Sequence, residues 1–281
     1  MPSKTDLILR SAQRARLEGR TTRMPRQIET PRVNSVCSER RASSIVSVMN
    51  DVSEAVRARP AIVRPRDAAS LILLRGEGHD LELLAGRRPG HVRFMPGVWV
   101  FPGGAIDPGD RKPWRIEAGG DKLPPRLVPS ARAALRETWE EVGVLVGRRD
   151  PADRPSLPVT PRLTPIEAAY VARGITAAFD ALIYVGRAIT PTRVFRRFNT
   201  RFFLARETAV FGDPVSSDEL EDVGWHPIGR RPLDPFRDVT QFMLARAMAL
   251  RAGTAPSDAP LFCMARNKRR VLVCREAVLD L

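Results

Sequence analysis

Apolar positions first crowd together after residue 66. Ala68 to Leu74 is one short apolar run and Leu81 to Ala85 a second, with Gly76-Glu77-Gly78-His79-Asp80 between them. Two such runs joined by a glycine-rich break predict a β-hairpin. Val98 to Phe101 predicts a further strand. Residues 111 to 128 mix Pro113, Gly119, Gly120, Pro124 and Pro125 with charges, which predicts a loop outside the core. Leu135, Thr138, Trp139 and Val142 recur at helical spacing. A helix from about Ala131 to Val142 is therefore expected, with Ser130 as its cap and Gly143 as its left-handed stop. Pro165 to Ala172, Thr176 to Leu182 and Asp238 to Arg251 also have helical spacing, and Phe198 to Ala205 reads as a strand. The order strand, strand, helix, strand, helix predicts a mixed α/β fold.

Charge changes the picture mainly at the amino terminus. Residues 1 to 50 hold ten basic side chains against four acids and little apolar periodicity, so residues 1–60 are expected to be a disordered basic extension. An Arg/Ser-rich targeting segment, or translation starting at Met49, are the other ways to account for it. Of the 46 basic residues only Lys4, Lys112, Lys122 and Lys268 are lysine, and the formal charge is +14. Arginine is a planar fork suited to phosphate, but compositional bias toward arginine has the same appearance. No apolar run approaches the ~18 residues of a membrane span. Cys37, Cys263 and Cys274 lack zinc or disulfide spacing, which suits a reducing, cytoplasmic setting. His79, His91 and His226 are scattered and suggest no triad or histidine metal site.

The chemistry concentrates on one helix face. Glu137, Glu140 and Glu141 stand at i, i+3 and i+4 and project from the same side. Three carboxylates that close repel one another unless a divalent cation sits among them, and hard oxygen donors suit Mg2+ or Mn2+. Taken alone, the same spacing also describes a solvated acidic face paired with Arg132 and Arg136. Upstream, Phe101-Pro102-Gly103-Gly104 leads through Ala105-Ile106-Asp107-Pro108-Gly109 to Asp110, a glycine turn where backbone can approach a ligand.

Gly104, Asp110 and Arg136 to Val144 together resemble the Nudix box, a glycine, five residues, an acid, seven residues, then REUxEExGU with U aliphatic. Asp110 replaces the family's Glu and Thr138 an aliphatic residue. The spacer from Asp110 to Arg136 is 25 residues instead of seven. Long insertions at this point resemble the peroxisomal coenzyme A diphosphatase-like branch. Arg93, Gly97 and Phe101-Pro102-Gly103-Gly104 match the spacing of its signature, while Arg87 lies one residue too far upstream and Val92 breaks the pattern. Arg197 to Ala205 and Glu219 to Trp225 resemble the branch's later segments, so the resemblance covers about residues 66–252, leaving 253–281 as a tail.

The resemblance implies a Nudix-type α/β/α sandwich around a mixed β-sheet and metal-dependent hydrolysis of a diphosphate. Glu137, Glu140 and Glu141 would be ligands to Mg2+ or Mn2+, the Gly104 carbonyl a further ligand, and a distal acid among Glu219, Glu221 and Asp222 would assist, with Glu221 placed in the catalytic set. Arg136 would brace Asp110. Arg87, Arg88, Arg93 and Arg201 would meet substrate phosphate, against ordinary surface ion pairing. The substrate would be a small nucleoside diphosphate-linked molecule such as coenzyme A or acyl-CoA; ADP-ribose, NADH or a nucleotide sugar are the enzymatic alternatives. A non-catalytic nucleic-acid binder on the same scaffold is the alternative of another class. Two tyrosines and no aromatic-basic pattern for base stacking argue against it.

Overall fold

A computed structural model describes residues 63–149, 163–192, 194–230, 233–234 and 236–255, together with the strands Leu261–Arg266 and Arg270–Arg275. The expectations for residues 1–60, including the alternative start, fall outside the described residues. The strands are β1 (Arg66–Arg75), β2 (Glu82–Arg87), β3 (Trp99–Val100), β4 (Gly103–Ala105), β5 (Glu117–Ala118), β6 (Leu145–Arg148), β7 (Thr176–Ala178), β8 (Ile183–Ile189), β9 (Phe198–Arg206), β10 (Val210–Phe211), β11 (Glu221–Pro227), β12 (Leu261–Arg266) and β13 (Arg270–Arg275). The helices are α1 (Val128–Val142), α2 (Pro165–Arg173) and α3 (Asp238–Arg251).

Every residue from Ala68 to Leu74 is buried, the pattern of a strand covered on both faces. β1 accordingly lies inside the larger sheet, whose order is β11-β2-β1-β9-β8-β12-β13, with β3 paired to β2 and β4 to β1. It runs antiparallel to β2 and β4 and parallel to β9. Successive side chains point to opposite faces. Ala69, Leu71, Leu73 and Phe203 therefore pack in the core that includes Ala131, Ala134, Leu135 and Val142 of α1. Ile72, Leu74, Phe202 and Leu204 pack with Met243, Leu244 and Ala247 of α3 on the other side. Helices on both faces of a mixed sheet make the α/β/α sandwich expected from the sequence. Among the described residues no helix is long and apolar enough to cross a membrane.

Residues 111–128 depart from the expected loop. Their Trp114, Ile116, Leu123 and Leu127 are buried. β5 joins a second sheet of order β10-β6-β7-β5, and Trp114 packs on Tyr170 and Phe179 at centroid distances of 6.4 and 6.5 Å. The prolines and glycines break regular structure, but the apolar residues among them still reach the core.

Three smaller expectations also change. Thr176–Leu182 forms β7 and a 3-10 turn in place of a helix, because Thr176 and Ala177 complete a sheet with β5 and β6. α1 begins at Val128, so Ser130 is buried within the helix and does not cap it. The tail after residue 253 carries β12 and β13, and β12 extends the large sheet by pairing in parallel with β8.

Candidate active site

The glycine turn and α1 meet over the end of β1. Pro102 offers its carbonyl oxygen to the Leu71 N–H at 3.0 Å and to the Ser70 hydroxyl at 2.9 Å. Gly103 follows at φ 156°, where an added Cβ would lie 2.4 Å from the Ala69 carbonyl oxygen. Gly104 comes so close to α1 that a Cβ there would lie 2.5 to 2.6 Å from the Glu137 carboxylate. At Gly103 the clash is with backbone and only glycine fits, whereas at Gly104 a side chain would have to displace the Glu137 carboxylate. The Gly103 N–H donates to Glu141 Oε2 at 2.7 Å. At the far end of the helix, Gly143 at φ 76° returns its N–H to the Trp139 carbonyl and turns the chain into β6.

Arg136 organises the face. Its Nε and Nη2 donate to the two oxygens of buried Asp110 at 3.0 and 2.9 Å, and Nη2 also reaches the Ala105 carbonyl at 3.0 Å. Nη1 donates to Glu137 Oε1 at 3.0 Å and Glu140 Oε2 at 2.7 Å. Burial alone would lower the Arg136 pKa, but Asp110, Glu137 and Glu140 together hold it above its ordinary value. Burial pushes Glu141 up to about 8; the Gly103 N–H opposes this, while Glu137 and Glu219 add to it. Burial likewise raises Glu137 to about 7 against the pull of Arg136, with Glu140 and Glu219 contributing.

Of the three distal acids, Glu219 is the one whose charge acts on both Glu137 and Glu141. Glu221 and Asp222 instead face Arg87, at 4.0 and 2.7 Å. The β-bulge between Glu221 and Gly224, with Asp222 at φ 52°, breaks the alternation by which a sequence could have assigned these side chains to a face. Arg87 is thus tied to acids of β11, and Arg201 to Asp67 at 3.3 Å. Arg88 donates to the Phe94 carbonyl at 3.0 Å and its charge acts on Glu141. The Arg93 guanidinium lies 5.1 Å from the Phe195 ring centre and borders a cleft of about 470 Å³ lined also by Phe94, Val194 and Phe202.

Among the described residues no three His, Cys, Asp or Glu side chains form a ready metal cage. The donor set nevertheless fits a hard cation. The hydrogen bonds within the face occupy Oε1 of Glu137, Oε2 of Glu140 and Oε2 of Glu141, one oxygen of each carboxylate. Burial outweighs the pull of Arg136 on Glu137 and of the Gly103 N–H and Arg88 on Glu141, and a divalent ion would supply further positive charge.

No family model matches the chain. A curated Caenorhabditis elegans protein that carries the name nudix hydrolase 7 is 30% identical over 164 residues, 57% of this chain and 50% of its own. The chain thus spans about half the length of that relative. The crystal structure of a Nudix hydrolase from Alicyclobacillus acidocaldarius is 31% identical, with a TM-score of 0.50, over 71% of this chain and 100% of that one. With that full-length coverage, the chain belongs to the Nudix hydrolase family.

Proposed function

We propose that the chain hydrolyses a diphosphate bond with the help of a divalent cation held by Glu137, Glu140 and Glu141. The observation that carries this is the packing of the acidic face onto the Gly103-Gly104 turn, with two carboxyls lifted to about 7 and about 8 by burial. A phosphoanhydride resists water because its oxygens repel the nucleophile and the leaving phosphate must accept charge. Bound Mg2+ or Mn2+ would neutralise those oxygens and acidify a water. Arg136, kept protonated, fixes the Glu137 and Glu140 carboxylates. The Gly103 N–H aims Glu141, and the Gly104 carbonyl is a candidate further ligand. Glu219, in place of Glu221, is the distal acid proposed to accept the proton of the attacking water at its carboxylate.

For the substrate, coenzyme A or an acyl-CoA is the finer proposal. The segment that carries the resemblance to that branch includes Arg88, whose charge acts on Glu141, and Arg93, which borders an apolar cleft that none of the carboxylates of the acidic face lines. Arg88 and Arg93 are therefore preferred over Arg87 and Arg201, which already pair with acids. Incubating the protein and Mg2+ or Mn2+ with coenzyme A, an acyl-CoA, ADP-ribose, NADH and a nucleotide sugar, with products identified by mass, tests both levels. Cleavage between the two phosphorus atoms of coenzyme A is expected. Cleavage of another member alone would replace the substrate, and cleavage of none would overturn the activity.

A further inference from the structure

The segment that interrupts the box is fastened to the helix that carries the acids. Glu117, on β5, receives the Arg132 fork, Nε to Oε2 at 2.7 Å and Nη2 to Oε1 at 2.6 Å. Arg132 is 5% exposed, and its remaining nitrogen Nη1 donates to the Asp110 carbonyl oxygen at 3.2 Å. One helical turn on, Arg136 grips the carboxylate of that same Asp110 and reaches Glu137 and Glu140. Glu117 is itself anchored. Its Oε2 accepts the Trp114 N–H at 3.1 Å, and its strand pairs in parallel with β7. The contacts thus run from the inserted strand to the acidic face through two planar forks, which hold direction as well as charge.

We propose that Glu117 and Arg132 are positioning residues that set the metal affinity of the acidic face. By holding the Asp110 backbone from one side while Arg136 holds its side chain from the other, they fix where Arg136 presents Glu137 and Glu140. The insertion is then part of the site's support and does not merely separate the halves of the box. Neither residue is assigned a contact with substrate or metal. The inference rests on the metal site proposed above.

The test uses the full chain, stripped of metal, as the parent and as Glu117→Gln, Glu117→Ala, Arg132→Lys and Glu141→Gln. Mn2+ alone is titrated while free Mn2+ is followed by electron paramagnetic resonance, and Tm, kcat and KM are measured on the best diphosphate of the parent. Glu117→Gln keeps the size of the side chain and should fold, whatever becomes of Glu117→Ala. It and Arg132→Lys are expected to bind Mn2+ about tenfold more weakly and to lose kcat by a similar factor, with KM nearly unchanged. If both lower Tm but leave Mn2+ affinity and kcat at parental values while Glu141→Gln loses Mn2+, the pair is only structural and the proposal is overturned. If Glu141→Gln also binds Mn2+ as the parent does, the metal site itself is refuted.

Discussion

At the scale of single residues, the candidate site joins two carboxylates withdrawn from water, Glu137 and Glu141, to the exposed carboxylate of Glu140. Glu141 has a pKa near 8 in the fold, against ~4.3 for a free glutamate. A group whose folded pKa is raised contributes stability below its unfolded pKa and loses that contribution as the pH climbs through its folded value. The metal-free protein should therefore lose stability between about pH 4.3 and pH 8, and Glu141→Gln should flatten this slope; denaturant unfolding across that range checks it. Asp110 is a different case, since it is 1% exposed and receives both arms of Arg136. Asp110→Ala leaves Arg136 its Glu137, Glu140 and Ala105 partners but removes the carboxylate that holds Nε and Nη2, and is expected to cost about 1.5 to 3 kcal/mol in urea unfolding. The shared face of the glutamates was legible because helical spacing fixes which side chains are neighbours, whereas the meeting of Asp110 with Arg136 followed from the resemblance. The choice of Glu219 was not legible, because Glu219 precedes β11, in a segment with no helical or strand period to fix where its side chain points.

At the scale of elements, residues 111–128 were the hardest part to read. Proline and glycine mark where regular structure breaks, but they say nothing about burial. Trp114 and Ile116 stand two apart and Leu123 and Leu127 four apart, pairs too short to establish a strand or a helix, so their shared core with Tyr170 and Phe179 appears only once α2 and the turn after β7 are in place. Trp114→Ala should cost about 3 to 5 kcal/mol, measured by thermal or urea unfolding. Replacing residues 111–127 with a short Gly/Ser linker should abolish a single cooperative transition; an unchanged Tm would show that this core is dispensable. β7 was misread as helix for a related reason. Its three residues are strand only because Glu117-Ala118 and Gly147-Arg148 flank them. By contrast the Gly143 stop is local chemistry, and α1 ends there.

At the scale of the whole molecule, the chain divides into Met1–Pro60 and Ala61–Leu281. The second unit contains the sandwich and every residue assigned to the site. A chain beginning at Ala61 should therefore keep the Tm and turnover of the full chain in calorimetry and steady-state assay, and loss of either would place a structural role before residue 61. The mixed α/β class was legible from the order of the apolar runs and the layered sandwich from the resemblance, whereas the placement of β12 beside β8 needed the partner strand to be known. The central claim, that the acidic face performs metal-assisted diphosphate hydrolysis, is tested most directly by phosphorus NMR of the diphosphate panel with Mg2+, comparing the parent with Glu140→Gln and Glu141→Gln. The parent should split the phosphoanhydride, and each variant should be at least about a hundredfold slower, since metal stabilisation of the transition state is worth several kcal/mol. Near-parental rates for both variants on every diphosphate the parent accepts would contradict it.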